Sequence, residues 1–198
     1  MKKIALAALL AASFGMAHAD VITFEGVATS APIAAGYGGL DWSNFYTLNA
    51  TPAYYGHSGY INATVSGTTV AFNSGGSAAS ISATSAAGFD LTDGFFTAAW
   101  NNGLNINADA TFEDGTKASK HFVVDTSRPS DVFFNWTDLS SVRFTSFGGT
   151  PQAGFSGGGT QFALDNLNTT PAVPEPANVA LLLAGVGLMA VVARRGSI

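Results

Sequence analysis

Residues 104–112 alternate strictly between apolar and polar side chains, and this pattern constrains the fold more than any other stretch of the chain. In the run LNINADATF, the leucine, isoleucine, alanines and phenylalanine fall on one face of an extended chain. The polar residues fall on the other face, because successive side chains of a strand point to opposite sides. This stretch is therefore predicted to be a half-buried β-strand with one dry face.

Ten further short runs are alternating or β-branched, and turn residues separate them. They are residues 21–24, 60–65, 69–72, 79–83, 89–91, 95–100, 120–124, 132–136, 141–147 and 161–167. Turns are predicted where Gly, Asn and Asp, which tolerate positive φ, occur together. These turns are residues 73–76, 93–94, 101–103 and 113–115. No stretch between residues 20 and 172 has a convincing helical period. The pattern predicts an all-β domain, in which two antiparallel sheets pack face to face as a jelly-roll sandwich.

The N-terminus has the pattern of a secretory signal peptide. Two lysines precede an apolar stretch at residues 4–16, and a small-x-small cleavage site follows with Ala17 and Ala19 as its small residues. Removal of residues 1–19 leaves a domain at residues 20–172, which is a suitable length for one hydrophobic core.

The last 26 residues, 173–198, form a separate segment. It begins with the box Val173, Pro174, Glu175, Pro176 and Ala177. The apolar run 177–193 has 17 residues, which as a helix would extend roughly 26 Å, just short of a ~30 Å hydrocarbon core. Arg194 and Arg195 follow it and would stay on the cytoplasmic side of a membrane, with the bulk of the chain outside. An ordinary C-terminal anchor and a buried core helix are the alternatives.

The order of box, apolar run and basic end closely resembles the PEP-CTERM sorting tail of Gram-negative bacteria. The resemblance implies that a membrane exosortase processes the protein at this tail. It further implies an exported protein that is anchored in the cell envelope by the helix 177–193, or is released to the extracellular matrix after processing.

The charge and cysteine content of residues 20–172 exclude several kinds of protein. This part holds four of the chain's eight basic residues and all of its thirteen acidic residues except Glu175, which gives a net charge of −8. Such an acidic domain disfavours a nucleic-acid partner. The chain has no cysteine, so it has neither a disulfide framework nor a thiolate site.

Residues 31–60 read as a long connection rich in aromatic residues and glycine. Long loops of this kind are usually functional or disordered, and the aromatics favour an ordered loop that closes over one end or face of the sandwich. The candidate sugar-stacking rings, chosen because aromatic faces serve binding surfaces, are Tyr37, Trp42, Tyr54 and Tyr55. The alternative is that the aromatics only plug the end of the core.

The two ends of the domain carry a second resemblance. The opening Ile22-Thr23-Phe24-Glu25-Gly26 and the closing stretch FALDNL at residues 162–167 are similar to carbohydrate-binding modules with the galactose-binding jelly-roll fold. In that fold the matching Glu and first Asp help to hold a structural calcium, which implies a calcium site at Glu25 and Asp165. Asn166 stands where the family has a second acid. The alternative is that both carboxylates only cap backbone groups at strand ends.

No catalytic constellation is found in the sequence. His57 and His121 are the only histidines after residue 19, and neither a nucleophile elbow nor a zinc-binding helix motif accompanies them. We therefore do not expect an enzyme. The sequence predicts an exported envelope or matrix protein whose β-sandwich binds carbohydrate, with exopolysaccharide as the implied ligand. A structural surface or biofilm-matrix protein without a discrete ligand is the alternative.

Overall fold

The structure is a computed structural model that describes residues 20–171, and most of this part of the chain is β-strand. The strands are β1 (Asp20–Ile22), β2 (Ala31–Pro32), β3 (Leu40–Ser43), β4 (Phe45–Asn49), β5 (Thr69–Asn73), β6 (Ala79–Ala83), β7 (Phe89–Ala98), β8 (Asn101–Asn102), β9 (Leu104–Phe112), β10 (Lys117–Val124), β11 (Ser130–Phe147), β12 (Thr150–Pro151) and β13 (Phe162–Pro171). The helical elements are one turn of α-helix, α1 (Pro52–Tyr55), and three 3₁₀ turns, Tyr37–Gly39, Gly59–Asn62 and Ser74–Gly76.

The strands form two layers that share β11. In the first layer the order is β2-β4-β5-β13-β7-β11, and β1 lies beside the second half of β13. In the second layer the order is β10-β9-β11-β6-β3. The strand pairs of residues 20–171 are antiparallel, and β8 and β12 form a separate two-stranded ribbon.

Strand β11 passes from one layer to the other near its middle. Its first half pairs with β7, and its second half pairs with β9 and β6. The register with β7 shifts on both sides of Trp136, and the nearby residues Asn135 and Asp138 have φ of 52° and 57°. Irregular pairing of this kind bends a strand, which lets one chain segment serve both sheets.

Aromatic side chains from both layers fill the space between them. Phe96 of β7 is fully buried, and its ring centroid lies 5.0 Å from that of Phe122 on β10 and 5.5 Å from that of Phe144 on the second half of β11. Phe162 of β13 lies 5.7 Å from Phe96 on the same side. Burial of a phenylalanine stabilises a fold by about 1.5–3 kcal/mol, so this cluster holds the layers together.

The prediction of an all-β sandwich of antiparallel sheets is confirmed for residues 20–171, while the jelly-roll topology stays a prediction. Several local predictions were wrong. Residues 60–65 form a 3₁₀ turn and loop instead of a strand, because the Gly59 amide donates to Ala99 O (2.8 Å) and Tyr60 is buried in a second apolar cluster. The predicted connection 31–60 contains strands β2, β3 and β4.

The predicted turn at residues 93–94 lies inside β7. The glycine there is required for close packing instead of for a turn. A Cβ at Gly94 would lie 2.8 Å from Leu167 Cδ1, so a larger residue would push the leucine of the neighbouring strand away.

Candidate functional site

The carboxylates of Glu25 and Asp165 bind the same loop, although they lie near opposite ends of the domain sequence. The backbone amides of Val65 and Ser66 donate to Asp165 Oδ2 (2.7 and 3.0 Å). The backbone amides of Thr68 and Thr69 donate to Glu25 Oε1 (2.9 and 2.7 Å). The two carboxylates therefore contact the same loop, while the calcium site implied for them stays a prediction. Their direct partners are amide hydrogens of residues 65–69.

An irregularity in β13 places Asp165 against this loop. The strand pairs with β5 up to Leu164 and with β1 from Leu167 onward, and its register with β7 shifts between Asp165 and Asn168. Asn166 between them has φ of 46°. Because a bulge redirects side chains, the Asp165 carboxylate points into the gap between β5 and β1, where residues 65–69 lie.

The environment of Asp165 disfavours its ionised form. Its side chain is fully buried, and this burial raises the pKa of the carboxyl above its ordinary value. Hydrogen bonds from the amides of Ser66, Val65 and Asn166 lower the pKa, and the negative charge of Glu25 raises it. The effect of Glu25 means that the two acids are near enough to repel each other.

Carboxylates are chemically suitable calcium ligands, but two of them supply only part of a ligand set. Calcium takes six to eight oxygen ligands, so backbone carbonyls or water would have to supply the rest. Residues 20–171 hold no group of three or more His, Cys, Asp or Glu side chains that could bind a metal ion. The hydrogen bonds from backbone amides to Glu25 and Asp165 are the contacts that the alternative predicts, in which both residues only cap backbone groups.

Two of the predicted sugar-stacking residues, Tyr37 and Trp42, pack together at the edge of the main core. Both are half-buried, and their ring centroids are 6.4 Å apart. The Trp42 ring lies edge-on to both Phe24 and Phe45 at 5.5 Å, and Trp42 Nε1 donates to Tyr37 O (2.9 Å). Burial also raises the pKa of the Tyr37 hydroxyl. These contacts are the ones expected if the aromatic residues close the end of the core.

The other two predicted residues lie on α1, in a different part of the domain. Tyr55 is half-buried and packs edge-on to Tyr60, with ring centroids 5.4 Å apart. It belongs to the second apolar cluster, separate from the one that Tyr37 and Trp42 contact. The side chain of Tyr54 lies outside the described part of the structure. The structure thus does not bring Tyr37, Trp42 and Tyr55 into one platform.

A polar cleft of about 410 Å³ lies at the end of the sandwich where β7 and β10 end and β9 and β11 begin. Four separate segments line it with amide, carboxylate, hydroxyl and aromatic groups. The residues that define this loop-end cleft are Asn62, Asn102, Asp125, Ser127, Gln152 and Phe155.

Asn102 is the centre of the hydrogen bonding in the loop-end cleft. Its Oδ1 accepts from the amide (2.9 Å) and the hydroxyl (2.7 Å) of Thr126, and its Nδ2 donates to Gln152 Oε1. Asn62 Nδ2 donates to Thr126 O (3.0 Å) from the fourth segment. The cleft wall is therefore fixed before any ligand arrives.

The cleft keeps hydrogen-bonding capacity beyond these internal contacts. Asp125 uses Oδ1 to accept from the Gly103 amide (2.8 Å), and its side chain is exposed. A carboxylate and an amide oxygen have several lone pairs each, so Asp125 and Asn62 can accept further hydrogens. Half-buried Phe155 adds an apolar surface beside them.

Sequence reasoning missed this cleft. It predicted residues 101–103 only as a turn, and it assigned no role to the polar segments around Asp125 and Gln152. The signal that could have found it is the set of Asn, Gln, Ser and Thr residues in connections at one end of the sandwich. Choosing that end requires knowing which strands pair.

A second cleft, of about 500 Å³, lies at the opposite end of the strands and is acidic. Its lining includes Glu113, Asp114 and Asp138. The Asp114 carboxylate stabilises a turn, because its Oδ1 accepts from the Thr116 amide (2.8 Å). The backbone amide of Asp138 donates to Asp90 Oδ1 (3.0 Å). The hairpin turn predicted at residues 113–115 is confirmed by the bond from the Gly115 amide to Phe112 O (3.0 Å).

The two histidines lie on different elements and have different contacts. His121 is exposed on β10, and its Nε2 lies 3.1 Å from Asn105 Oδ1. His57 is exposed in the loop after α1, and its backbone O accepts from the Ser156 amide (3.1 Å).

The predicted targeting residues lie outside the described residues. They are the cleavage-site residues Ala17 and Ala19, the box Val173, Pro174, Glu175 and Pro176, and the basic end Arg194 and Arg195. Within residues 20–171, none of the helices has the length and apolar character needed to cross a membrane.

Comparison with known proteins finds similarity to solved structures at low sequence identity. No family model matches the chain, and no curated protein matches it. Among solved structures, TmCBM61 in complex with β-1,4-galactotriose has 10% identity and a TM-score of 0.41, over 69% of this chain and 94% of that one. A DUF4465 family protein from Bacteroides caccae has 14% identity and a TM-score of 0.49, over 78% of this chain and 99% of that one.

Proposed function

We propose that this chain is an exported envelope or matrix protein whose β-sandwich binds carbohydrate in the loop-end cleft. The observation that supports this is the convergence of Asn62, Asn102, Asp125 and Gln152 beside the Phe155 ring. A sugar offers hydroxyls that both donate and accept, and apolar C–H faces. Amide and carboxylate groups match the hydroxyls, and an aromatic ring matches the C–H face.

The size and rigidity of the cleft suit a short stretch of glycan. Its volume of about 410 Å³ lies within the range of small-ligand sites. Since Asn102 is already bonded to Thr126 and Gln152, little side-chain freedom is lost when a ligand binds. Pre-organisation of this kind raises affinity by lowering the entropy cost of binding.

Export and sorting form the second part of the proposal. The signal peptide 1–19 would deliver the chain across the membrane, and an exosortase would act on the tail 173–198. The domain would then meet extracellular polysaccharide at the cell surface or in the matrix. The sequence pattern of the two ends supports this part.

A structural calcium is proposed at Glu25 and Asp165. The support is the proximity of two acids, one fully buried, on one loop. A cation there would offset their mutual repulsion and stabilise the segment 65–69.

A structural envelope or matrix protein without a discrete ligand is the second candidate. The packing of Tyr37, Trp42 and Tyr55 favours it, because these rings are half-buried against other aromatic residues. Under this proposal the loop-end cleft has no ligand.

A glycan array probed with the full-length purified chain, with and without calcium, tests the first proposal. The affinity of the glycan that the array identifies is then measured for Asp125→Asn and Phe155→Ala. We expect each variant to bind this glycan roughly tenfold more weakly, which is the loss expected for one charged hydrogen bond or one stacked ring.

The matched control is Glu113→Gln, which removes one exposed carboxylate at the opposite end of the sandwich. It should bind the glycan like the unaltered protein. If no glycan is retained, the structural alternative stands. If Glu113→Gln weakens binding as much as Asp125→Asn does, the loop-end cleft is not the site.

A further inference from the structure

The solvent face of the second layer carries a polar surface that is distinct from the loop-end cleft. Three adjacent strands, β10, β9 and β11, present it in register. Lys117 lies opposite Thr111, which lies opposite Ser141, and in the next outward row Ser119, Asp109 and Arg143 lie side by side. These six residues define what we call the sheet-face cleft.

The sheet-face cleft has a volume of about 570 Å³, larger than the loop-end cleft. Lys117, Ser119, Asp109 and Arg143 are exposed, while Thr111 and Ser141 are half-buried. Asp109 Oδ1 accepts a hydrogen bond from the Ser119 hydroxyl (2.7 Å). The surface therefore offers two cationic groups and several hydroxyls to the solvent side.

The charge of this cleft is opposite to that of the domain. Residues 20–171 hold twelve acidic and four basic residues, and two of those four basic residues, Lys117 and Arg143, line this one cleft. The single acid in it is Asp109. A local excess of positive charge on an acidic domain favours an anionic ligand at this cleft, because the negative charge of the remaining surface repels such a ligand elsewhere.

An aromatic group lies on the same sheet face. Phe147 is 46% exposed, and its ring centroid lies 6.3 Å from that of His121. Phe147 lies on β11 and faces the same side as Arg143, and His121 lies on β10 and faces the same side as Ser119. Phe147 lies four residues after Arg143 along β11, a distance of about 13 Å. A short oligosaccharide can extend over this distance.

We propose that the sheet face of β9, β10 and β11 is a second binding site, which takes a polysaccharide that bears carboxylates. Arg143 and Lys117 bind the carboxylate of one sugar unit. Thr111, Ser119 and Ser141 meet hydroxyls, and Phe147 with His121 supports a unit further along the chain. Arg143 presents a planar fork of N–H donors that matches a carboxylate, and Lys117 adds a point charge.

Affinity electrophoresis or calorimetry of the full-length chain with polygalacturonate tests this site. Methyl-esterified polygalacturonate is the ligand control, since it keeps the sugar backbone and removes the charge. We expect Arg143→Gln and Lys117→Gln each to weaken binding of polygalacturonate about fivefold or more, and binding to weaken as salt rises from about 50 to 500 mM. Phe147→Ala should weaken it as well.

Lys120→Gln is the matched control variant. Lys120 lies on β10, as Lys117 does, but three residues further along, so its side chain is on the other face of the strand, and it pairs with Ala108. This substitution removes the same charge from outside the sheet-face cleft and should leave binding unchanged. Binding that is lost in Asp125→Asn but kept in Arg143→Gln belongs to the loop-end cleft, which separates the two sites.

Three outcomes would overturn the site. One is that polygalacturonate and its methyl ester bind equally, or that neither binds. Another is that Lys120→Gln weakens binding as much as Arg143→Gln does, which would indicate general charge attraction. The third is that double-stranded DNA binds as tightly as polygalacturonate, which would remove the assignment to sugar.

Discussion

Glu25 and Asp165 act on one loop from two sides: Glu25 Oε1 binds the Thr69 amide at 2.7 Å, and Asp165 Oδ2 binds the Val65 amide at 2.7 Å. The first residues of the domain and its last strand are thereby joined through residues 65–69. This relationship makes the loop a sensitive point of the fold, and it allows the calcium proposal and the capping interpretation to be separated.

The first prediction concerns calcium and thermal stability. If an ion binds the folded form at Glu25 and Asp165, its contribution is RT ln(1 + [L]/Kd), about 2.7 kcal/mol at a hundredfold excess over Kd. The melting temperature of the full-length chain should then rise with calcium and fall with EDTA. Glu25→Gln and Asp165→Asn should lose most of this response.

Glu113→Gln is the control for that experiment, because it removes an acid from the far end of the strands. Its melting temperature should respond to calcium as the unaltered protein does. Melts that do not change with millimolar calcium or with EDTA would leave Glu25 and Asp165 as caps of backbone amides.

The second prediction concerns Gly67, which has φ of 55° and lies against the Glu25 side chain. A Cβ at this position would lie 2.2 Å from Glu25 Cδ, so Gly67→Ala should displace the carboxylate and break its hydrogen bonds. Gly26 has φ of 76° with open space around it, so Gly26→Ala carries only the backbone cost, about 1–2 kcal/mol.

Denaturant unfolding of both variants measures the difference. We expect Gly67→Ala to lower the free energy of unfolding by about 0.5–1.5 kcal/mol more than Gly26→Ala, because the exposed amide of Thr68 and the part-buried amide of Thr69 lose their acceptor. Equal losses in the two variants would mean that the contact between Gly67 and Glu25 is unimportant for stability.

The third prediction concerns the tail. Deletion of residues 173–198 should release the protein into the medium, because the box and the apolar run are then absent. Arg194→Glu together with Arg195→Glu should impair retention or orientation by removing the cytoplasmic positive charge. Fractionation of cells into membrane, envelope and medium measures both effects. A truncated chain that stays bound to the membrane would contradict the sorting proposal.

The sequence predicted the features that depend on local patterns. Strand β9 has the bounds expected from the alternation at residues 104–112, and the hairpin turn at residues 113–115 was found by its acids and glycine. The calcium site that the resemblance of the domain's two ends implies at Glu25 and Asp165 stays a prediction.

The features that the sequence did not predict depend on long-range pairing. Gly94 read as a turn residue, yet it is a point of close contact between β7 and the leucines of β13. The loop-end cleft joins Asn62, Asn102, Asp125 and Gln152 from segments far apart in the chain, and only the strand register brings these segments to one end. Neither arrangement has a local sequence signal.

The last prediction concerns the pH dependence of stability at Asp165. Burial raises the pKa of this carboxyl in the folded protein above its ordinary value of 3.8. The folded state therefore holds the proton more tightly than the unfolded state. The resulting contribution to stability is fully present below pH 3.8 and is lost as the pH rises through the raised pKa.

Asp165→Asn cannot titrate, so it should lack this dependence. In thermal melts with EDTA between about pH 3 and pH 7, where no calcium holds the carboxylate in its ionised form, the stability of the unaltered protein relative to Asp165→Asn should be greatest at acid pH and should decline as the pH rises. Asp114→Asn gives the contrast, because hydrogen bonds from Thr116 lower the pKa of Asp114. Relative to that variant, the unaltered protein should lose stability as the pH falls. Since the two comparisons must have opposite slopes, a flat difference between the unaltered protein and Asp165→Asn would show that the buried carboxyl does not titrate differently on folding.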